Sequence, residues 1–348
     1  MSKKTILLLP AVLFIFYSFR NSAVNLVVYS ICIVPLAYVL GEFTSEMSLY
    51  IGEKKGGLLA ATLGNLPELA MGVWSMRYGM VLMTKSALIG SIISNMLLVL
   101  GISIFIGGVK YRQQSFNKIV ARTNFNMLLL ALSVIVLLAS LKSYSSVPGD
   151  RLLKVSVIAA LLMLSIYILG LIFSLHTHSN LFIVSEVRDE ISSNNRKAKQ
   201  KVGVKILIIS VILFIISERL IQNINIVVEK YNVSQEFIGI ILIPILGNIG
   251  ENLSAIISAT RNKVNLSLEI AIGSSIQISL FVAPVIIILS NIFGYNMDFI
   301  FTGFQIIICA VAVAMSYFVF QDGKTYWLEG AILITAYILI SVCYYYMV

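Results

Sequence analysis

The sequence predicts an all-α polytopic membrane protein with about 11 transmembrane helices. Of its 348 residues, 59% are hydrophobic and only 12% are charged, whereas about a quarter of the residues in a soluble domain are charged. The apolar residues occur in runs of roughly 20, the length of helix that crosses about 30 Å of hydrocarbon. Because backbone groups in hydrocarbon must be hydrogen-bonded within the protein, these runs predict a helical bundle.

The apolar runs can be delimited as separate segments. They cover roughly residues 5–19, 24–45, 57–76, 81–107, 123–141, 152–175, 204–227, 236–259, 266–292, 298–320 and 327–347. The first segment follows Lys3 and Lys4 and is short for a membrane span, and no small-residue cleavage site follows it. We therefore interpret it as a signal-anchor or tilted helix and not as a cleaved signal peptide.

The basic residues predict the orientation of the chain in the membrane. If the N-terminus is cytoplasmic, 17 of the 25 Lys and Arg residues lie on the cytoplasmic side. The positive-inside rule therefore predicts a cytoplasmic N-terminus and, with an odd number of spans, an external C-terminus. This distribution explains the net charge of +9 without a nucleic-acid partner. The short loops favour a prokaryotic protein of the plasma membrane.

Two copies of one motif indicate an internal repeat. The stretch GNLPEL begins at Gly64 and GNIGEN begins at Gly247, so an offset of 183 residues aligns them. The same offset places residues 89–91 on residues 272–274, both of which read Ile-Gly-Ser. The copies are five predicted spans apart, and an odd number of spans reverses the direction of the chain through the bilayer. Inverted repeats with interrupted helices are typical of secondary transporters.

Each copy carries residues that interrupt a helix. Pro67 follows Gly64 in the first copy, and Pro244 precedes Gly247 in the second. Proline removes a backbone donor and leaves the carbonyl group four residues earlier without its helical partner. We expect such carbonyl groups to line a cavity and to be available to a cation.

Polar side chains accompany the interruptions at helical spacing. In a helix, residues i and i+3 share a face, so Asn65 lies with Glu68, and Asn248 with Glu251. Hydroxyl and amide side chains repeat this spacing on the next helix of each copy. The candidate cation ligands are therefore Asn65, Glu68, Ser91, Ser94, Asn248, Glu251, Ser274 and Gln277.

These ligands supply only oxygen atoms, which predicts a hard cation. Ca²⁺ accepts about six to eight oxygen ligands in irregular geometry, whereas Mg²⁺ requires a strict octahedron. Glu68 and Glu251 together balance one divalent charge. When the metal leaves, two like charges in a poorly solvated place favour protonation, so metal and protons compete for the same carboxylates. We therefore assign both cation binding and proton coupling to these two residues.

Helix packing is the competing explanation for the polar residues. A single intramembrane carboxylate costs about 2.5–3.5 kcal/mol at the helix centre, and its recurrence at Glu68 and Glu251 argues for a function. Packing explains Ser91 and Ser274, taken alone, equally well. For three acids near segment ends, solvation at the interface competes with a gating function. These acids are Glu42, Glu46 and Glu218.

The motifs resemble the calcium/cation–proton exchanger family, within the superfamily that includes the sodium/calcium exchangers. The resemblance spans about residues 40–285 and rests on several stretches. They are GNLPEL, GSIISN at 90–95, SERL at 217–220, VSQEFIGIILIPILGN at 233–248, GNIGEN and, above all, GSSIQISLFVAP at 273–284.

The resemblance implies one N-terminal helix followed by two inverted five-helix halves, and Ca²⁺ export in exchange for H⁺. Asn65, Glu68, Asn248, Glu251, Ser274 and Gln277 stand at matching site positions. It also suggests that Glu218 lines an access path, for which Glu46 is a second candidate.

The predicted domains follow from the two halves. They are an N-terminal helix at 1–20, a first half at 21–178, a cytoplasmic connector at 179–203 and a second half at 204–348. The connector has mixed charge, which is typical of a solvated segment, and a regulatory or lipid-contacting helix is the alternative interpretation.

Other functions remain open at this point. Leu66 and Pro67 depart from the family, and Leu-Pro-Glu-Leu resembles sodium/calcium exchangers instead, whereas asparagine after glycine in both copies favours proton coupling. Na⁺-coupled Ca²⁺ exchange and transport of another divalent cation such as Mn²⁺ are therefore alternatives. A cation channel is more distant, because channel filters usually depend on subunit symmetry.

The sequence contains no HExxH or GxGD motif that would indicate an intramembrane enzyme. We expect Ca²⁺ and H⁺ as transported substrates, the lipid bilayer as partner and no resident cofactor. The sequence leaves open whether the chain forms a homo-oligomer.

Overall fold

The computed structural model describes residues 3–144, 147–178 and 196–347, which are almost entirely helical. The α-helices are Lys3–Phe16, Ser22–Ile51, Glu53–Leu63, Leu66–Arg77, Val81–Ile93, Leu100–Tyr111, Lys118–Tyr144, Gly149–Ile172, Arg196–Tyr231, Gln235–Gly247, Ile249–Thr260, Val264–Gln277, Ala283–Ile292, Gly303–Val319 and Trp327–Met347. Three π-helical segments continue α-helices, at Ser94–Val99, Phe173–Thr177 and Ile278–Val282. The predicted all-α class is confirmed, with the addition of two short strands, Gln113–Ser115 and Lys324–Tyr326.

Among the described residues, 6 helices are long and apolar enough to cross a membrane. They are Ser22–Ile51, Val81–Tyr111, Lys118–Tyr144, Gly149–Thr177, Val264–Ile292 and Trp327–Met347. Gln235–Gly247 and Ile249–Thr260, bent by 63°, add one more if they form a single span. The chain is thus a multi-pass membrane protein. Helices also lie at the remaining predicted segments, and the count of 11 spans stays a prediction.

The connector predicted at 179–203 lies mostly outside the described residues. Its final part, from 196 to 203, is helical and belongs to Arg196–Tyr231. The helix therefore begins before the apolar segment predicted from 204. Arg, Lys, Ala and Gln are good helix formers, and they extend the helix beyond the part that can lie in hydrocarbon.

Several helices begin at residues with capping side chains. Asn21 Oδ1 accepts a hydrogen bond from the Ala23 backbone nitrogen at 3.0 Å, and Ser234 Oγ accepts from that of Glu236 at 3.1 Å. Thr302 and Gln305 form a reciprocal capping box. These contacts satisfy backbone donors in the first turn that have no helical partner.

The described residues pack into two compact units. The first comprises Met1–Met80 and Gly170–Val233, and the second comprises Val81–Leu169 and Ser234–Val348. The two units are groups of residues that contact one another, whereas the two predicted halves are consecutive stretches of chain with opposite directions through the membrane. The units therefore do not test the predicted halves.

The first unit is built on two long helices, Ser22–Ile51 and Arg196–Tyr231, that pack along each other. The shorter helix Leu66–Arg77 packs on the second of these. Trp74 Nε1 donates a hydrogen bond to the Phe214 carbonyl oxygen at 3.0 Å, and the two rings lie 5.0 Å apart. This contact anchors one end of the short helix.

In the second unit, Val81–Ile93 and Gln235–Gly247 approach closely because glycine stands at the contact. A Cβ atom on Gly90 would lie 2.6 Å from Ile240 Cα, and one on Gly239 would lie 3.0 Å from Ser86 Cβ. Small residues allow this approach in a membrane, where helices associate largely through van der Waals packing. By contrast, a Cβ atom on Gly273, which the repeat aligns with Gly90, would meet nothing within 4 Å.

We therefore expect Gly90→Ala to destabilise the protein and Gly273→Ala to leave its stability unchanged. The added methyl group at Gly90 meets backbone atoms that cannot move aside, and overpacking of this kind costs about 1–3 kcal/mol. Thermal unfolding of both variants in the same detergent measures the difference. Equal unfolding temperatures for the two variants would contradict the close packing at Gly90.

Candidate cation-binding site

The two repeat motifs interrupt their helices at the same point. In the first unit, Leu66–Arg77 begins after Asn65, which has φ −90° and ψ 9°. In the second unit, Ile249–Thr260 begins after Asn248, which has φ −95° and ψ 12°. An offset of 183 residues relates both ends of these helices. The sequence repeat is therefore also a repeat of local backbone geometry.

The prolines act differently in the two copies. Pro67 occupies the first turn of its helix, where a backbone donor would have no helical partner in any case. Pro244 lies inside Gln235–Gly247, so the Ile240 carbonyl lacks its helical donor. That carbonyl oxygen lies against Gly90 of the neighbouring helix. It is therefore covered by helix packing.

Each motif asparagine donates a side-chain hydrogen bond to a backbone carbonyl group that precedes the interruption, and in the second copy the Asn248 backbone nitrogen donates to the same carbonyl oxygen at 3.2 Å. Asn65 Nδ2 donates to the Ala61 carbonyl oxygen at 2.8 Å, and Asn248 Nδ2 donates to the Pro244 carbonyl oxygen at 3.3 Å. In both copies the acceptor is four residues earlier. Because a carbonyl group can only accept a hydrogen bond, the amide atom that faces it is the nitrogen. The oxygen atom of each amide is therefore turned away from its own backbone.

Glu68 and Glu251 occupy the first turns of the helices that follow these interruptions. The N-terminal end of a helix carries partial positive charge, which stabilises a carboxylate. Glu68 is buried, with 8% of its surface exposed. Oε2 of Glu251 is also buried and accepts no hydrogen bond from the described residues, and such an oxygen is costly unless a cation or proton binds it.

Buried side chains of the second unit form a continuous hydrogen-bond network. Ser274 Oγ donates to Asn248 Oδ1 at 2.9 Å, and Asn95 Nδ2 donates to Ser274 Oγ at 2.9 Å. Asn248 Nδ2 also lies 3.4 Å from Ser91 Oγ. The Ser274 hydroxyl group lies beside the Glu251 carboxyl group as well. The network thus links the interrupted helix to two neighbouring helices at the candidate site.

The Pro244 carbonyl group determines which atoms donate and which accept in the hydrogen bonds between Asn248, Ser274 and Asn95. It holds Asn248 Nδ2, so Asn248 Oδ1 faces Ser274 and must receive the single hydroxyl proton. Ser274 can then only accept from Asn95, whose nitrogen atom faces it. Oδ1 of Asn95 is consequently left buried and without a donor among the described residues.

Asn95 belongs to this hydrogen-bond network but is not among the candidate ligands predicted from the sequence. It is fully buried, and the repeat does not indicate it because the offset of 183 places Ile278 opposite. A usable signal was present, since Ser91 and Asn95 are four residues apart and therefore share a helix face.

The other two predicted ligands, Ser94 and Gln277, lie three residues beyond Ser91 and Ser274 in the chain. Ser94 is buried and begins the π-helical segment Ser94–Val99. Gln277 is half-buried and ends Val264–Gln277, directly before the π-helical segment Ile278–Val282. Such segments occur frequently at functional sites. Within the described part of the chain, no three His, Cys, Asp or Glu side chains cluster as a metal site.

The two predicted access-path acids both lie in the first unit and are half-buried. Burial and, secondly, the nearby Glu218 carboxylate raise the pKa of Tyr78. Tyr78 follows the last residue of Leu66–Arg77, so Glu218 lies about 15 Å along this helix from Glu68. An access path through Glu218 or Glu46 stays a prediction.

Comparison with known proteins assigns the chain to a family. The family model described as "Sodium/calcium exchanger protein" matches residues 21–176 and 202–346. These ranges contain both repeat motifs and the whole hydrogen-bond network. The chain belongs to this family.

Similar exchangers of known name cover nearly the whole chain. The Ca(2+)/H(+) antiporter of Aphanothece halophytica is 36% identical over 331 residues, which are 91% of this chain and 88% of that protein. The Ca(2+)/H(+) antiporter ChaA of Bacillus subtilis is 34% identical and covers 93% of this chain and 92% of its own length. The solved structure of native YfkE superimposes with a TM-score of 0.83 at 31% identity, covering 98% and 99% of the two chains. The resemblance to the calcium/cation–proton exchangers is thus confirmed.

We expect Ser274→Ala to destabilise the protein, because it removes the hydroxyl group between two buried amides. Leaving a buried polar group unpaired costs about 1–3 kcal/mol. Ser275→Ala is the matched control, since Ser275 is equally buried and, among the described residues, its Oγ bonds to the Ala271 carbonyl of its own helix alone, at 3.2 Å. Thermal unfolding in detergent compares the two variants, and a larger loss for Ser275→Ala would contradict the network.

Proposed function

We propose that this protein is a secondary active antiporter that exchanges Ca²⁺ for H⁺ across a membrane. It is a transporter and not an enzyme, as its relatives are Ca(2+)/H(+) antiporters over about nine-tenths of the chain. One structural observation carries the proposal. Two interrupted helices with matching backbone geometry each place a carboxylate in their first turn, behind an asparagine with a fixed amide.

The transported cation is assigned to the oxygen atoms of the two motifs. Glu68 and Glu251 supply the two charges that balance one Ca²⁺, and the proposal that both serve the same cation rests on the sequence repeat. The amide and hydroxyl ligands are Asn65, Ser91, Ser94, Asn248, Ser274 and Gln277. Asn95 adds to this set as the residue that orients Ser274.

Exchange follows from competition for the carboxylates. Ca²⁺ requires both carboxylates ionised, so binding of the metal expels protons and binding of protons expels the metal. If the site opens to each side in turn, the inward proton gradient drives Ca²⁺ out of the cytoplasm. A binding site between inverted repeats is a common arrangement in transporters that work by alternating access.

The orientation and domain organisation belong to the same proposal. The basic residues support a cytoplasmic N-terminus, an external C-terminus and a place in the plasma membrane. The repeat supports 11 spans, with halves at 21–178 and 204–348 and the connector at 179–203 in the cytoplasm.

Two other transport functions are weaker candidates. Leu66 and Pro67 favour Na⁺-coupled exchange by their resemblance to sodium/calcium exchangers, and an all-oxygen site also accepts Mn²⁺. The names of the similar proteins favour proton coupling and Ca²⁺.

We expect Glu68→Gln and Glu251→Gln each to abolish Ca²⁺ transport driven by an imposed pH gradient in sodium-free proteoliposomes. Each variant removes half of the charge that balances the metal and one of the groups that carries a proton. Glu229→Gln is the control, because Glu229 is exposed and its one side-chain hydrogen bond within the described residues comes from Asn225 on its own helix, at 3.2 Å. Normal transport by both site variants would show that the carboxylates are structural.

The same vesicles identify the coupling ion. Ca²⁺ movement with a pH gradient and without sodium supports the proposal, whereas movement that requires a sodium gradient would replace H⁺ by Na⁺. Current that flows down the Ca²⁺ gradient without any coupling ion would indicate a channel.

We expect the apparent KM for Ca²⁺ to rise as the pH on the Ca²⁺ side falls. Each proton that competes with the metal weakens apparent binding about tenfold per pH unit, once the site is largely protonated. Initial rates of Ca²⁺ uptake at several pH values measure the slope. A KM that is independent of pH would contradict a shared site for Ca²⁺ and H⁺.

A further inference from the structure

Three separate stretches of chain meet at one end of the second unit. The strands Gln113–Ser115 and Lys324–Tyr326 pair in antiparallel register, with Ser115 opposite Lys324. Gln114 Nε2 donates to Asn262 Oδ1 at 3.0 Å, and the Asn117 backbone nitrogen donates to Asn265 Oδ1 at 2.9 Å. These contacts join the loops after Tyr111, after Thr260 and before Trp327 into one surface.

This surface carries a cluster of exposed basic side chains. We call the cluster the basic rim. It comprises Lys110, Arg112, Lys118, Arg122, Arg261 and Lys324.

Contacts between the stretches bring these bases together. Lys110 Nζ donates to the Thr260 carbonyl oxygen at 2.9 Å, which places it beside Arg261. The Lys118 side chain lies across Gly323, next to Lys324. The tertiary fold, and not the sequence order, therefore produces this concentration of positive charge.

The six bases of the basic rim outnumber the acids that lie beside them in the chain. Within the described residues, none of its members forms an ion pair. The two acids nearest in the chain, Asp322 and Glu329, accept hydrogen bonds from backbone nitrogen atoms at 3.0 and 2.9 Å. At the opposite ends of the same helices the pattern differs, since Lys85 pairs with Asp298.

The basic rim lies at the level where membrane spans end. Lys110 is next to the last residue of the span Val81–Tyr111, and Lys118 is the first residue of Lys118–Tyr144. Tyr326 and Trp327 adjoin the rim and are 40% and 48% exposed. Tyrosine and tryptophan are enriched at the depth of the lipid headgroups, so the rim faces the headgroup region of the bilayer.

We propose that the basic rim binds the phosphate headgroups of anionic phospholipids. Unpaired bases at the membrane surface attract anionic lipid, and the flanking aromatic side chains place the bound phosphate in the bilayer and not in free solution. Under the proposed orientation, the rim lies on the cytoplasmic side of the membrane.

The contacts of Lys110 connect a bound lipid to the candidate site. Lys110 donates to the carbonyl oxygen of Thr260, the last residue of the helix that carries Glu251 in its first turn. The Lys110 ammonium group has three donors, so a phosphate group bound beside it shares these donors with the carbonyl oxygen, which also accepts from Tyr111 Oη at 3.0 Å. Lipid binding therefore acts on the helix Ile249–Thr260, and this part of the inference rests on the proposed function.

Lipid binding is tested first without transport. The purified full chain in neutral detergent is titrated with short-chain phosphatidylglycerol, and its thermal unfolding is followed. The triple variant Arg112→Gln, Arg122→Gln and Lys324→Gln removes three rim charges whose side chains make no hydrogen bond within the described residues. The matched control is Lys142→Gln, Arg151→Gln and Lys154→Gln, which removes three exposed charges from the other end of the same unit.

We expect the parent and the control to be stabilised by phosphatidylglycerol, and the rim variant to bind it about 100-fold more weakly. Equal stabilisation of the rim variant and the control would overturn the proposal. Equal stabilisation by inorganic phosphate would overturn the assignment to lipid.

Transport then tests the connection to the site. In phosphatidylcholine vesicles with and without phosphatidylglycerol, the parent and the control are expected to respond to the anionic lipid, and Lys110→Gln to lose most of that response. A full response of Lys110→Gln would overturn the connection through Thr260, whereas lack of Ca²⁺ transport by the parent itself would count against the proposed function and leave the binding result intact.

Discussion

The structure depends on how a helix can be interrupted inside hydrocarbon. No water is present there to satisfy free backbone groups, so each interruption must be closed by the protein itself. In both motifs an asparagine side chain contributes to this, because its Nδ2 donates to the carbonyl oxygen four residues earlier. In the second motif the Asn248 backbone nitrogen also donates to that oxygen. Closing the break also fixes the amide, and its oxygen atom is left facing away from the backbone. In each motif the asparagine thus bonds to the backbone before the break and leaves its amide oxygen available to other groups.

The surrounding polar groups follow from that fixed amide in the second unit. Asn248 Oδ1 can only accept a hydrogen bond, so the Ser274 hydroxyl group donates its single proton to it. Ser274 Oγ then accepts a hydrogen bond from Asn95 Nδ2. Glu251 stands in the first turn, where the helix dipole favours a carboxylate. The side-chain orientations in this network are therefore fixed, and Asn95 Oδ1 and Glu251 Oε2 are buried without a hydrogen-bond donor among the described residues.

The repeat is strict in backbone geometry and incomplete in its side chains. The helices after the two asparagines have matching bounds and torsion angles, but Asn95 corresponds to Ile278, and the closely packed Gly90 corresponds to the open Gly273. An alignment of the two copies does not identify such differences as important, because it selects the residues that are the same in both copies. They also mean that the two halves need not bind or release an ion in the same way.

The sequence by itself determined the helical class, the membrane environment, the positions of the helix interruptions and the two motif carboxylates. These features depend on local composition and spacing. A run of apolar residues forms a membrane helix, and a Gly-Asn pair interrupts a helix, whatever the distant parts of the chain do. Only the tertiary structure decided that Asn95 holds Ser274, that Ile240 packs on Gly90 and that two short strands assemble the basic rim. Each of these depends on contacts between residues far apart in the chain, and such contacts are set by how the helices pack.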